Sequence, residues 1–202
     1  MFIVTAILIV FSWLFCLFLY KCFTNLKTKY NMKTINVQQF LEKFKHFSTE
    51  DFNDLTYAMI KPDAFEAKEE ILRDIEGRGF EIVFTADLQL SDSLARDFYS
   101  EHDGKSFFER LIRQMTDGPV VILILRKKGD VPCFQAWRDE LGKTNPADAA
   151  EGTLRKVYTQ KLFGGPEAYK EERATNCFHG ADSVASVIRE ASLVLYDMAM
   201  SA

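Results

Sequence analysis

One histidine near the end of the chain has neighbours that suit covalent chemistry. His179 lies in the segment NCFHGADS, residues 176–183, and is one of 3 histidines among 202 residues. Imidazole is largely neutral at pH 7 and nucleophilic, so it can accept a phosphoryl group and release it again. A histidine at the end of a strand can also be an ordinary buried residue with satisfied hydrogen bonds. At this point both interpretations stay open.

Three cationic side chains could form a binding site for an anion. Lys61 directly follows the apolar run LTYAMI, and Arg138 and Arg155 flank a loop that also contains Thr144. Cations brought close together repel each other unless an anion such as phosphate lies between them. The chain lacks the GxxxxGK[ST] pattern of a backbone phosphate cradle, so side chains would have to hold the anion.

The composition excludes several classes of protein. The chain is 48% apolar and 27% charged, which is enough for one domain with a core. Its net charge of −4 argues against a nucleic-acid-binding protein, which needs clustered positive charge. The cysteines form no CxxC pair, which argues against a disulfide scaffold or a zinc site and favours a reducing compartment. They are Cys16, Cys22, Cys133 and Cys177.

The first residues predict a membrane anchor. The run Phe2–Tyr20 contains no charged residue and has about the length that a helix needs to cross a bilayer. A cleavable signal peptide is the alternative, but no basic residue precedes the run and no small-x-small cleavage site follows it. Lysines after the run place the rest of the chain in the cytosol by the positive-inside rule. We therefore expect a single-pass anchor at residues 1–21 and a cytosolic domain.

Residues 22–52 predict a basic juxtamembrane linker that ends in an amphipathic helix. Lys27, Lys29 and Lys33 suit anionic lipid head groups. In the segment NVQQFLEKFKHF, apolar side chains recur at helical spacing and share one face. They are Val37, Phe40, Leu41, Phe44 and Phe47. This stripe favours a helix packed on the domain over a helix lying in the membrane interface.

Residues 53–202 predict one domain that mixes helices and strands. Apolar runs at 55–60, 81–90 and 119–125 predict strands, and the last is expected to be central because it is apolar on both faces. On the second strand, alternate residues from Ile82 to Leu90 are expected to share one face. Helical spacing and capping residues predict helices near 67–77, 91–102, 107–115, 131–142 and 183–200. The Gly-rich, polar section 142–176 is too long for a plain connector.

Five blocks of this domain, taken in order, resemble the nucleoside diphosphate kinase family. They are IKPD, FYSEHDGKSFF, GPV, TNPADAAEGTLR and NCFHGADS, and together they span nearly all of residues 55–202. The last block is similar to the family's NxxHGSD signature. The resemblance implies an α/β (α+β) fold, a ferredoxin-like sandwich with a four-stranded antiparallel sheet. It also implies an enzyme that transfers the γ-phosphoryl group of ATP to a nucleoside diphosphate, and it favours the nucleophilic interpretation of His179.

The resemblance implies a role for each matching residue. His179 would carry the phosphoryl group between two nucleotides in a ping-pong cycle, with Glu190 orienting its ring. Lys61 and Tyr99 would lie near the transferred group, and the base would stack on Phe107. The other matches would contact the phosphates (Arg138, Thr144 and Arg155) and, with Lys61, the sugar hydroxyls (Asn176). Mg²⁺ would be bound by the nucleotide's phosphates and not by a protein cage.

The chain departs from the family pattern at three places. Ala181 stands where a serine is expected, which removes a hydroxyl that would support Glu190. Lys156–Val157 replace a Gly–Asp pair. Residues 158–175 make a connection that is longer than usual, by about ten residues, which loop entropy tolerates. This insertion is expected near the base and could restrict entry to the cleft.

These departures keep two other interpretations open. One is a weakly active or inactive member of the same family that binds nucleotides as a scaffold. The other, which ranks lower, is a histidine phosphocarrier that passes its group to a protein. The partners implied by the resemblance are nucleoside di- and triphosphates and further copies of the chain in a homo-oligomer.

Overall fold

A computed structural model describes residues 37–165 and 175–201. No helix within these two ranges combines the length and the apolar character that a membrane span requires. The predicted anchor at residues 1–21 and the first part of the predicted linker lie outside the described residues.

A four-stranded antiparallel sheet forms the centre of the domain, as the resemblance implies. The strands are β1 (Leu55–Ile60), β2 (Glu81–Leu88), β3 (Val120–Arg126) and β4 (Phe178–Gly180). Their order in the sheet is β2-β3-β1-β4, and every neighbouring pair is antiparallel. The prediction that β3 is central is confirmed, and its first six residues are buried because strands flank it and helices cover both faces.

Helices pack on both faces of this sheet. Several start at side-chain caps: Ser48 and Asp51 form a capping box, and the Ser91 hydroxyl accepts from the backbone N–H of Leu94. The helices are α1 (Val37–Phe44), α2 (Thr49–Asn53), α3 (Lys68–Gly77), α4 (Asp92–Phe98), α5 (Phe108–Thr116), α6 (Cys133–Leu141), α7 (Leu154–Phe163) and α8 (Val184–Met200). Short 3₁₀ turns occupy Pro62–Ala67, Ser100–His102 and Pro146–Asp148.

Alternation along β1 sends its side chains into two apolar layers. Ala58 and Ile60 join a buried cluster built with α3, α6 and α7. Tyr57 points to the opposite face, where its ring lies 5.6 Å from that of Phe98 in α4. The sheet therefore separates an α3–α6–α7 layer from a layer that contains α4 and α8.

The prediction that alternate residues of β2 share one face is wrong at Ile82. A β-bulge lies between Ile82, which pairs with Leu125, and Phe84, which pairs with Ile124. One extra residue reverses the side of every following side chain. Ile82 therefore packs on the α3–α6–α7 layer, whereas the Phe84 ring stacks 5.0 Å from Phe40.

The section 142–176 contains a helix, α7, that the sequence analysis does not predict. Its buried side chains include Leu154, Tyr158 and two polar residues, Arg155 and Thr159. Because polar residues occupy half of this buried stripe, the apolar periodicity that identifies a helix is interrupted. Residues 166–174 of the predicted insertion lie outside the described residues.

The aromatic stripe of α1 packs on the domain, as predicted. Phe40 and Phe44 are 2% and 3% exposed. Phe44 lies 5.0 Å from Phe52 of α2 in an edge-to-face arrangement. Helix α1 is therefore part of the folded domain, since its rings complete the layer over α8 and β2.

We predict that Phe44→Ala lowers the free energy of unfolding by about 3–4 kcal/mol, because it removes a buried ring and leaves a cavity. The measurement is urea denaturation followed by circular dichroism. Lys43→Ala, an exposed change in the same helix, is the control and should alter stability by less than about 0.5 kcal/mol. Equal stability of the two variants would mean that α1 is not docked in solution.

Candidate active site

Strand alternation places His179 between two helices. Its strand, β4, pairs with β1 so that His179 faces Met59. Phe178 therefore points into the α3–α6–α7 layer, and the imidazole points to the other face, where its ring lies 5.1 Å from the Phe98 ring. The His179 side chain is 16% exposed, so one side of the ring remains open.

Gly180 allows β4 to approach helix α6 closely. A Cβ at this position would lie 2.6 Å from Cδ1 of Trp137, which is closer than side-chain carbon atoms approach each other. The indole Nε1–H of Trp137 also donates to the backbone oxygen of His179, at 3.4 Å. The glycine after the histidine is thus required by packing, and it keeps the strand against α6.

The Glu190 carboxylate orients the imidazole. Oε2 of Glu190 lies 2.7 Å from Nε2 of His179, and the glutamate side chain is 3% exposed. An ionised carboxylate only accepts hydrogen bonds, so this contact favours the tautomer with the hydrogen on Nε2 and the lone pair on Nδ1. Ala181 has no hydroxyl to offer, and its buried backbone N–H donates to Tyr57.

The backbone just before the histidine is strained. Cys177 has a φ of 62°, in the left-handed region, and the N–H of Phe178 donates to the oxygen of Asn176 at 2.7 Å. This is a γ-turn around a residue with a β-carbon, which costs on the order of 1–3 kcal/mol. Cys177 and Phe178 are fully buried, and that packing holds the turn. No sequence signal predicts the strain, because cysteine is not a typical left-handed residue.

Lys61, Asn176 and Thr144 form a chain of hydrogen bonds. The Lys61 ammonium donates to Oδ1 of Asn176 at 2.7 Å, and Nδ2 of Asn176 donates to the backbone oxygen of Thr144 at 3.1 Å. The Lys61 backbone N–H also donates to Cys177 at 2.9 Å. These bonds join the end of β1 to the γ-turn and to the loop after α6.

Both arginines are oriented by backbone oxygens of β4 and its surroundings. Arg155 is 7% exposed and donates to the oxygens of Gly142 at 2.9 Å and Phe178 at 3.3 Å. Arg138 donates to the oxygen of Gly180 at 3.4 Å. Because the guanidinium groups are tied to the strand that carries His179, their positions follow that of the histidine.

All nine residues that the sequence analysis assigns to the site line one cleft of about 450 Å³. Phe107 lies at its mouth with 38% of its surface exposed. The Tyr99 hydroxyl is buried and has no hydrogen-bond partner among the described residues, and burial raises the pKa of this phenol, so it stays protonated as a donor. The nine are Lys61, Tyr99, Phe107, Arg138, Thr144, Arg155, Asn176, His179 and Glu190.

The cleft has further lining residues that the sequence analysis does not assign. Arg110, Leu111 and Gln114 recur at helical spacing after the assigned Phe107, so one face of α5 forms a wall. His102, which the sequence analysis does not assign to the site, is half-buried between the rings of Tyr99 and Phe107. The spacing along the predicted helix would have identified this face once Phe107 was placed in the site.

Charge and burial act together on Lys61. Burial lowers the pKa of its ammonium group to about 8 from the ordinary 10.5; Asp63 opposes this shift and Arg155 adds to it. In the folded protein Lys61 loses its proton near pH 8, whereas in the unfolded chain it keeps the proton up to about pH 10.5. The unfolded chain therefore binds more protons in this window, so stability rises with pH there.

We predict that the free energy of unfolding of the parent protein, measured relative to Lys61→Met, rises by up to about 3 kcal/mol between pH 8 and pH 10.5. The stabilisation is complete above pH 10.5 and is lost as the pH falls through 8. Urea denaturation of both proteins at several pH values gives the difference, which cancels the titration of all other groups. A difference that does not change with pH would contradict the burial of a charged Lys61.

Comparisons with a family model and with solved structures both match this domain. The family model described as nucleoside diphosphate kinase matches residues 54–200. Among solved structures, the chain is similar to the apo nucleoside diphosphate kinase of Encephalitozoon cuniculi in its cubic crystal form. The TM-score is 0.57 at 24% sequence identity, and the match covers 69% of this chain and 87% of that chain. At this identity the structural match supports the fold.

Proposed function

We propose, since the chain belongs to the nucleoside diphosphate kinase family, that it transfers the γ-phosphoryl group of a nucleoside triphosphate to a nucleoside diphosphate through phospho-His179. The observation that carries this proposal is the 2.7 Å contact between Nε2 of His179 and Glu190 inside a cleft lined by cations. That contact leaves Nδ1 as the nucleophilic nitrogen.

In the first step, the lone pair of Nδ1 attacks the γ-phosphorus of the bound triphosphate. A bond between Nδ1 and phosphorus forms, the bond to the bridging oxygen breaks, and the nucleoside diphosphate leaves with the electron pair. The imidazole gains positive charge as the bond forms. The buried Glu190 carboxylate stabilises that charge through the Nε2–H hydrogen bond, and it needs no reorganisation because it is already in place.

In the second step, a phosphate oxygen of another nucleoside diphosphate attacks the same phosphorus. The nitrogen–phosphorus bond breaks, and its electron pair returns to Nδ1. The imidazole is thereby restored to the neutral form with hydrogen on Nε2. Each turnover returns the site to its starting state, which is the basis of a ping-pong cycle.

The cations that line the cleft would bind the phosphates. Lys61, Arg138 and Arg155 line the same cleft as His179, and phosphate oxygens would offset the repulsion between them. The protonated Tyr99 hydroxyl, which lacks a partner among the described residues, is a further donor for a phosphoryl oxygen. The exposed ring of Phe107 suits stacking by any base, since every base has a π-face.

The residues of the cleft fit a Mg²⁺ ion that is bound by the phosphates of the nucleotide. The cleft presents ammonium, guanidinium and hydroxyl donors, which bind phosphate oxygens. Of its carboxylates, the buried Glu190 is already bonded to His179, and Glu101 and Asp182 are exposed. When bound, the ion would neutralise charge on the phosphates. The residues that hold those phosphates would be Lys61, Arg138 and Arg155.

Membrane attachment and oligomeric state belong to the proposal as well. The uncharged run Phe2–Tyr20 still predicts a single-pass anchor with a cytosolic domain, although it lies outside the described residues. Membership of the family supports a homo-oligomer.

We predict that the full-length protein, incubated with γ-labelled ATP, acquires a label that is labile in acid and stable in alkali. His179→Ala should abolish the label, because it removes the imidazole that Glu190 orients. His46→Ala is the matched control, since His46 is exposed on the same domain and should leave labelling unchanged. Label that survives His179→Ala would refute phospho-His179.

Addition of unlabelled GDP to the labelled protein should move the label into GTP. Label that forms but stays on the protein would exclude a nucleoside diphosphate kinase and favour a protein relay. A protein that binds ADP and never becomes labelled would be a scaffold.

We predict that Arg155→Ala slows phosphoryl transfer, because charge-assisted hydrogen bonds to phosphate are lost. The loss of transition-state stabilisation should be about 2–4 kcal/mol. The measurement is kcat/KM for the ATP–GDP reaction. Lys156→Ala is the adjacent control, since Lys156 pairs with Glu151 and does not line the cleft. Equal rates for the parent and Arg155→Ala would remove this arginine from the phosphate site.

A further inference from the structure

Arg189 links the two helices that enclose His179. It lies on α8 beside Glu190, and its side chain, 40% exposed, reaches α4. There Nη1 donates to the backbone oxygen of Phe98 at 3.0 Å. This first bond fixes one edge of the planar guanidinium, so its other nitrogens have defined directions.

The second terminal nitrogen of Arg189 contacts Glu190. Nη2 lies 3.4 Å from Oε1, whereas the other carboxylate oxygen, Oε2, lies 2.7 Å from Nε2 of His179. A buried ionised carboxylate is stable only when its oxygens are hydrogen-bonded. Because the two oxygens are joined rigidly, holding Oε1 in place restricts rotation of the carboxylate and keeps Oε2 directed at the imidazole.

Arg189 also contacts a ring that packs against the imidazole. Its guanidinium carbon lies 6.0 Å from the centroid of the Phe98 ring. The Phe98 ring in turn lies 5.1 Å from the His179 ring, at an interplanar angle of 71°. One side chain therefore touches both the carboxylate that bonds Nε2 and the ring that borders the imidazole.

We propose that Arg189 is a positioning residue, which fixes the Glu190 carboxylate so that His179 keeps its hydrogen on Nε2 and its lone pair on Nδ1. The effect on the rate of phosphorylation rests on the proposed function, whereas the tautomer is a property of the protein without nucleotide. Without the guanidinium, the carboxylate can rotate, and water can reach Oε1 through the space that Arg189 leaves. Both tautomers of His179 then become populated.

The first test reads the tautomer directly by ¹⁵N NMR of the full-length protein with labelled histidine, with His179→Ala to assign the signals. The parent should show hydrogen on Nε2. Arg189→Met, which keeps the aliphatic stem, and Arg189→Gln should show a mixture of tautomers. Arg189→Lys should lie between, because an ammonium group keeps the charge without the fixed fork. Arg126→Ala is the control, since Arg126 is 37% exposed and pairs with Glu81 away from the site.

The second test measures the single-turnover rate of His179 phosphorylation by ATP. Arg189→Met should slow it roughly tenfold, the effect of losing one hydrogen bond to a charged group. In a Glu190→Gln background the same change should have little further effect, because the group that Arg189 orients has been altered. A role limited to helix packing would lower the melting temperature and leave the tautomer unchanged.

The inference is overturned if Arg189→Met and Arg189→Gln keep the tautomer of the parent. It is also overturned if the rate falls by the same factor with Glu190 and with Gln at this position, because Arg189 would then act through another group. Failure of the proposed function is a different result: the parent protein itself would not be phosphorylated, and the NMR measurement would still decide the role of Arg189.

Discussion

The hydrogen bond between Glu190 and Nε2 of His179 is the constraint on which the site depends. It leaves Nδ1 as the nitrogen that is available in the cleft, and it requires β4 and α8 to keep fixed positions relative to each other. Ser183, between them, caps α8 by accepting from the N–H of Ser186 at 3.1 Å. This cap fixes the start of the helix, so Glu190 lies under the imidazole about two turns later. The strained Cys177 directly precedes β4 in the chain, and its burial holds the start of the strand in place.

The cations of the site are attached to the same strand. Arg155 and Arg138 donate to the backbone oxygens of Phe178 and Gly180, and Lys61 is joined through Asn176 to the turn before them. The lowered pKa of Lys61 indicates that burial makes a charged lysine unfavourable when no anion lies beside it. A bound phosphate would offset that cost and favour protonation, so nucleotide binding above pH 8 should take up a proton. The repulsion among cations thus becomes affinity for an anion.

Much of this arrangement follows from the sequence, and the exceptions have physical causes. The strands β1, β2 and β3, the helix α1 and the helix start at Ser91 follow from apolar periodicity and capping chemistry, whereas the short β4 does not. Helix α7 does not, because Arg155 and Thr159 interrupt its buried stripe. The bulge in β2 is also hidden, since register depends on the partner strand. The nine site residues come from the family resemblance. The hydrogen bonds that position them, including those of Arg189, cannot be predicted from the sequence because they join segments that are far apart in the chain.

The identity of the phosphorylated nitrogen tests the central claim most directly. Phosphorylated protein, analysed by correlated ¹H–³¹P NMR under alkaline conditions, distinguishes a phosphoryl group on Nδ1 from one on Nε2. We predict Nδ1, because Nε2 lies 2.7 Å from a buried carboxylate oxygen. A phosphoryl group on Nε2 of His179 would contradict this prediction, since the ring would have to break its hydrogen bond to Glu190 and rotate before reacting.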